Sequence, residues 1–203
     1  MRKISAIAIS LAVLILALKF TLNFKPLYYY DIHHLNITQS TSLNENEIKS
    51  TYDYLIYFVN SNQKIDFNIP LLPSSREGAI HFQEVKNIFI KLDYILYFSL
   101  IVSAVGIYRA IKEREYSLFK WASNFILIFS LCMIVPFSIN FDASFILFHK
   151  IFFFNTYWLF DPALDPVINI LPEEFFFHEA ILIILLALLS AVILRLLYHK
   201  LKK

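Results

Sequence analysis

The stretch FHEAILIILLALLSAVILRLLY, residues 177–198, decides the fold class. From residue 180 to residue 194 it holds no charge, no glycine and no proline. A helix of about 20 mostly apolar residues crosses the hydrocarbon core of a bilayer, so this stretch reads as a membrane span. Residues 4–24, 88–110 and 121–141 read the same way. The whole chain agrees with that reading. Of its 203 residues 58% are hydrophobic and 17% charged, and its mean hydropathy is +0.59, whereas water-soluble domains carry about 25% charge. With 21 Phe, 12 Tyr and only 2 Gly, the low-complexity, collagen-like and disordered classes are excluded. One cysteine excludes an internal disulfide framework and a cysteine-based zinc site. A net charge of +2 is too small to suggest a nucleic-acid binder. The expected class is an α-helical integral membrane protein with four transmembrane helices and a small mixed α/β portion outside.

Charged side chains set the expected orientation. Arg2 and Lys3 precede the first span, Arg109, Lys112, Arg114 and Lys120 surround the turn after the second, and Arg195, Lys200, Lys202 and Lys203 close the chain. The positive-inside rule then puts both termini in the cytoplasm. The expected layout is a first span over 1–24, an outer portion over 25–87, and spans at 88–110 and 121–141 joined by a cytoplasmic loop at 111–120. An outer aromatic loop over 142–176, a fourth span at 177–198 and a cytoplasmic tail at 199–203 complete it. No small-x-small cleavage site follows the first apolar run, so it reads as an uncleaved anchor. Lys19, Lys91 and Arg195 sit near span ends, where long cationic side chains snorkel to the interface.

The cytoplasmic loop is too short to build a pocket, so chemistry belongs to the outer portions. In the first, Ser42 followed by Glu45 fits a capping box. Ile48, Tyr52, Leu55 and Val59 then recur at helical spacing. The alternation over 65–69 predicts a short strand ended by Pro70 and Pro73. Residues 74–86 read as a helical lead-in to the second span. In the second outer portion, residues 142–160 are apolar and aromatic, interrupted by His149, Lys150 and Asn155, as in an interfacial or re-entrant piece. Asp161-Pro162 and Asp165-Pro166 each fit a helix start, with Asp as cap.

Few side chains offer chemistry. His33 and His34 read as adjacent residues of an extended stretch, pointing to opposite faces. His178 begins the fourth span, where interfacial placement suffices, and His199 lies in the tail. His81 shares a helical face with Glu77 and Glu84. A carboxylate there orients an imidazole and raises its basicity, although an exposed salt-linked histidine has the same spacing. His149 lies among Phe145, Phe148, Phe152 and Phe153, where a packed interfacial histidine is the plainer reading. Cys132 lies mid-span among apolar residues and no G-x-S-x-G elbow occurs, so a covalent acyl-enzyme is disfavoured.

Two motifs combine these residues. The first is REGAIHFQEVK, residues 76–86, entering a membrane helix. The second is FHKIFFFN, residues 148–155, followed by Trp158, Asp161-Pro162, Asp165, Ile168 and PEEFF at 172–176. In this order they resemble the lipoprotein intramolecular transacylase family of bacterial four-helix membrane proteins, found mainly in Gram-positive bacteria. The resemblance covers nearly the whole chain. Glu84 stands where the family pattern has Asp, and Gly78 falls inside the first motif, loosening the lead-in.

The resemblance implies a reaction on diacylglyceryl-modified lipoproteins in the cell membrane. An acyl chain moves from the glyceryl sn-2 oxygen to the α-amine of the N-terminal cysteine, giving the lyso form. It implies His81 and His149 as the functional pair, without metal or cofactor. In this scheme His81 is the base and His149 the acid or oxyanion donor, with the two roles interchangeable. Glu77 orients, Arg76 and Lys86 meet a carbonyl or lipid headgroup, and the phenylalanines line an acyl groove. Asn155, Trp158, Asp161 and Asp165 complete the candidate orienting or substrate-binding set. Two other classes stay open on the residues alone: a non-enzymatic membrane accessory protein with an outer partner-binding surface, and a metal-assisted membrane hydrolase using His81, His149, Asp161 and Asp165.

Overall fold

The computed structural model describes residues 2–202, and every regular element among them is helical. Lys203, counted above in the basic tail, lies outside the described residues. The α-helices are α1 (Arg2–Asn23), α2 (Lys25–His34), α3 (Glu45–Asn60), α4 (Arg76–Glu113), α5 (Ser117–Ile139), α6 (Phe141–Phe152) and α7 (Glu173–Leu201). Short 3₁₀ turns occupy Ile37–Gln39 and Pro166–Asn169. Four helices, α1, α4, α5 and α7, are long and apolar enough to cross a membrane. The chain divides into two compact units.

The first unit comprises Met1–Thr21, Leu92–Ile139 and Ala180–Lys203. Its buried positions are mostly small: Ala6, Ala110, Ala122, Ala187 and Ala191, with Ser5, Ser10, Ser123 and Ser130. Small side chains let helix backbones approach closely, which is how helices associate when lipid removes the usual hydrophobic drive. A Cβ on Gly106 would stand 2.3 Å from Ser5 Cβ. Ser10 Oγ donates to the carbonyls of Ala6 and Ala122 at 2.9 and 3.2 Å. Lys19 and Arg195 have polar partners. Lys19 Nζ lies 2.6 Å from Asp93 Oδ1, and Arg195 donates to the side-chain oxygen of Asn124. A cavity of about 440 Å³ lies among Arg2, Lys3, Arg109 and Glu113.

The second unit comprises Leu22–Lys91 and Asn140–Glu179. Its core is large and aromatic. Tyr28 stacks on Tyr52 at 3.8 Å, and both rings meet Phe175 edge-on at 5.0 and 5.8 Å. The buried Tyr28 hydroxyl donates to the Ile170 carbonyl at 2.7 Å. Helix α3 buries Ile48, Tyr52, Leu55, Phe58 and Val59 on one face. Its capping box is formed by Asn44 and Glu47, two residues beyond the expected Ser42 and Glu45. Asn44 Oδ1 accepts from the Asn46 and Glu47 amides while Glu47 accepts from the Asn44 amide, so both ends of the box close on the first turn. His33 and His34 belong to helix α2, not to an extended stretch, since Pro26 presets its first turn.

The mixed α/β expectation is overturned: residues 65–69 form no strand, and none occurs among the described residues. The alternation is real, but no second strand is present to pair with it. Ile65, Phe67 and Ile69 pack into the core instead. The Tyr54 hydroxyl accepts the Asn68 amide at 2.8 Å, in place of a ladder bond.

Candidate active site

Helix α4 begins on a cap made by Ser75, whose Oγ accepts the Gly78 amide at 2.9 Å. That cap is anchored by a residue 90 positions further along the chain. Asp165 is 4% exposed and accepts the Ser75 amide at 2.8 Å and the Ser75 hydroxyl at 2.6 Å. A Cβ on residue 78 would lie 2.2 Å from Asp165 Oδ1, so glycine is required there for close approach. Gly78 therefore admits the carboxylate that fixes the start of α4, rather than loosening it. The first turns of α4 precede the apolar run at 88–110 and carry His81.

His81 and His149 lie with ring centroids 6.0 Å apart. Phe153 meets His81 edge-on at 4.6 Å, and Phe160 closes on it at 5.5 Å. Burial in this aromatic wall, reinforced by the neighbouring His149, pushes the His81 pKa down to about 4. Its Nδ1 is buried without a hydrogen-bond partner. His149 sits near the end of α6, where its Nδ1 lies 2.8 Å from the Phe145 carbonyl oxygen. A carbonyl only accepts, so Nδ1 carries the proton and Nε2 keeps a lone pair. Burial lowers the His149 pKa, and the bond to Phe145 opposes that shift. Trp158 stacks on the His149 ring at 4.8 Å.

Asn155 ties the two histidine segments together. Its Nδ2 donates to Glu84 Oε1 at 2.7 Å, its Oδ1 accepts the Tyr157 amide at 3.0 Å, and its carbonyl accepts Trp158 Nε1 at 3.0 Å. Glu84 is one helical turn beyond His81, on the same face. Glu84, not Glu77, is thus the carboxylate built into this cluster. Glu77 and Arg76 are exposed. Lys86 is 2% exposed and turned inward, donating to the Gln63 carbonyl at 2.7 Å over the Phe58 ring.

Neither Asp-Pro pair caps a helix through its Asp side chain. Asp161 is exposed and accepts the Ala163 amide at 2.9 Å within a turn. Asp165 leads into the 3₁₀ turn without a side-chain cap, because its oxygens face Ser74 and Ser75. Both are therefore engaged apart from the histidine pair. Among the described residues no group of three or more His, Cys, Asp or Glu side chains is placed to hold a metal ion. His178 is also more than interfacial. Its Nδ1 lies 2.9 Å from both oxygens of Asp31, a fully buried carboxylate. Separation in sequence hides such a pair, and a lone Asp in α2 gives no signal of it. Phe160, a wall of the His81 pocket, was equally silent.

A family model for the lipoprotein intramolecular transacylase Lit matches residues 3–176. The chain belongs to that family. A solved structure of the membrane integral lipoprotein intramolecular transacylase Lit from Bacillus cereus is 36% identical, with a TM-score of 0.95 over 98% of this chain and 92% of that one. Two further structures of the Bacillus cereus Lit carry a histidine replaced by arginine or by alanine. Both are 35% identical with a TM-score of 0.88, over 98% of this chain and 88% and 90% of theirs. No curated protein sequence matches the chain. As a Lit family member with four apolar helices, it is a multi-pass membrane protein and an acyltransferase.

Proposed function

We propose that His81 and His149 together transfer an acyl chain within one diacylglyceryl-modified lipoprotein, from the sn-2 oxygen to the α-amine of the N-terminal cysteine. The observation that carries this reading is the His149–Phe145 hydrogen bond, which leaves a bare Nε2 on a ring whose centroid lies 6.0 Å from that of a second neutral imidazole. The amine nitrogen attacks the ester carbonyl carbon. The nitrogen–carbon bond forms, the bond from carbon to the sn-2 oxygen breaks, and one amine proton ends on that oxygen. His149 Nε2 accepts the proton and returns it, the Phe145 carbonyl steadying the imidazolium meanwhile. His81 donates an N–H to the carbonyl oxygen as it becomes negative. Of the two role assignments that the sequence leaves open, tautomer geometry supports the one with His149 as base.

Ester and amine belong to one molecule, so holding them in attack geometry supplies up to roughly 7–11 kcal/mol in ideal intramolecular cases. The aromatic walls exclude water that would hydrolyse the ester. The distribution of Lys and Arg supports the extracytoplasmic face for the site. Mass spectrometry of a lipoprotein N-terminus, with and without this protein expressed, tests the reading. The lyso form should appear only with the protein. A reporter within residues 109–120 should be cytoplasmic and one within 60–64 outside; the inverse would remove the site from its substrates.

A further inference from the structure

The carboxylate of Glu84 is used at one oxygen only. Oε1 accepts from Asn155 Nδ2 at 2.7 Å, while Oε2 is buried and has no hydrogen-bond partner. Buried polar atoms are nearly always paired, and an exception in a carboxylate is among the more costly ones. No nearby cation answers it. Lys86, two residues on, is turned to the Gln63 carbonyl and the Phe58 ring. His81, one turn earlier, is held neutral by burial and has its own unpartnered Nδ1. Two orphan polar atoms thus occupy adjacent turns of one helical face. The same Asn155 that holds Oε1 holds the indole stacked on His149, so the free oxygen belongs to the histidine cluster.

We propose that Glu84 Oε2 is the recognition group for the substrate's α-ammonium, holding the cationic N-terminus of the lipidated cysteine beside the histidine pair. This rests on the transacylation reading and names the residue that selects a free amine. An α-amino group has a pKa near 8, so at neutral pH the incoming N-terminus is mostly a cation. A carboxylate takes that cation through a charge-assisted hydrogen bond. One ammonium proton leaves to solvent, and the neutral amine attacks the ester while His149 Nε2 carries a second nitrogen proton to the departing sn-2 oxygen. A neutral group in place of Glu84 would bind the N-terminus poorly and would cease to hold it protonated.

The test uses the purified full-length protein and a synthetic diacylglyceryl lipopeptide, with its N-acetylated counterpart as a non-reacting ligand. Glu84→Gln keeps an acceptor for Asn155 and removes only the charge. It should raise the KM for the free-amine peptide about 10- to 100-fold. It should move the acid limb of kcat down by about 1–3 pH units, because the bound amine loses the anion that favoured its charged form. Affinity for the N-acetylated peptide should be unchanged, and Glu84→Asp should retain part of the free-amine preference. An unaltered KM and limb in Glu84→Gln would reduce Glu84 to a support for Asn155. Equal weakening of both peptides would mean a deformed pocket and would overturn the proposal as well. If the wild-type protein makes no lyso form, the transacylation reading fails. The binding preference for free amine over N-acetyl, compared between wild type and Glu84→Gln, still decides the role of Glu84.

Discussion

The two units differ in the proportion of small and large residues that they bury. In the first, alanine, serine and Gly106 outnumber larger buried residues such as Ile9, Leu118 and Ile126, while Ile4, Leu11, Ile101, Leu131, Leu185 and Leu196 point outward. In the second, the inside is tyrosine, phenylalanine and isoleucine, with buried Asp31 and Asp165 held by specific partners. Water outside a domain drives large apolar side chains inward. Lipid does not, and close backbone packing through small residues takes over. The small-residue share of the first interior fits helices packed in lipid. The aromatic rings that wall His81, Phe153 and Phe160, belong to the second unit.

The comparison breaks most visibly if catalysis survives loss of a second-unit histidine. His81→Ala and His149→Ala should each cut formation of the lyso form by about 10²- to 10⁴-fold. Both proteins should still insert into the membrane, as the helices of the first unit are untouched. The double variant should lose little more than either single one, since groups in one proton-transfer unit fail together. Additive losses would separate the two imidazoles into independent roles. Rates for the three variants and wild type, read by mass spectrometry, decide this.

Stability sharpens the contrast next. Asp31 is fully buried against His178. Breaking such a pair by removing one partner costs about 3–5 kcal/mol when the other stays buried. His178→Ala should therefore unfold the second unit at lower temperature while leaving His81 and His149 in place. Adding Asp31→Asn should recover part of the loss by removing the stranded charge. Thermal unfolding of both variants checks it, and a silent His178→Ala would demote the pair to an interfacial contact.

Acid should act in the same direction. His81 has a folded pKa of about 4 against an unfolded value near 6.5. Across that interval the unfolded chain binds the extra proton. Stability from this site is complete above pH 6.5 and is lost as pH falls toward 4, by on the order of 3 kcal/mol. Replacing His81 with Phe should flatten that part of the stability profile.

What sequence could tell follows from the same contrast. Apolar runs such as 180–194 announce a span by composition, because lipid tests every residue of a helix in the same way. The face shared by His81 and Glu84 follows from helical spacing. The second unit depends on partners distant in sequence, which spacing does not reveal. Residues 65–69 alternate like a strand, yet a strand exists only where another pairs with it, and here Tyr54 and the core take its place. Spacing puts Glu77 and Glu84 on one face with His81 and the expectation takes Glu77, whereas the structure joins Glu84 to Asn155, 71 residues away, which spacing does not reveal. The nearness of His81 and His149 has no signal in spacing, and only the family resemblance couples the two, since single histidines in aromatic runs are ordinarily packing residues.

Both glycines test packing, one in each unit. Gly78→Ala would place a Cβ 2.2 Å from Asp165 Oδ1, and Gly106→Ala one 2.3 Å from Ser5 Cβ. Overpacking of this kind costs typically about 1–3 kcal/mol. Gly106→Ala should be relieved by Ser5→Gly, which removes the opposing atom, and should spare the reaction rate of the folded protein. Gly78→Ala should lower both stability and activity, as the displaced Asp165 also anchors the cap below His81. If both variants fall alike in activity, the division of labour between the units is wrong.

The smallest expected effect is the most informative about chemistry. Cys132 lies in α5 with its side chain exposed and no disulfide. It belongs to the unit whose outward surface is apolar, and neither histidine is part of that unit. An acyl-enzyme through Cys132 would need a base within hydrogen-bond reach of the thiol, and no hydrogen bond to Cys132 is present among the described contacts. The substrate carries its own nucleophile, so the enzyme has no need of one. Cys132→Ala should therefore keep the wild-type rate of lyso-form production, within the scatter of the assay. Hydroxylamine treatment of the protein during turnover should release no acyl hydroxamate. A dead Cys132→Ala together with an active His81→Ala would replace the direct transfer by a thioester route, and would move the chemistry from the aromatic unit into the small-residue one.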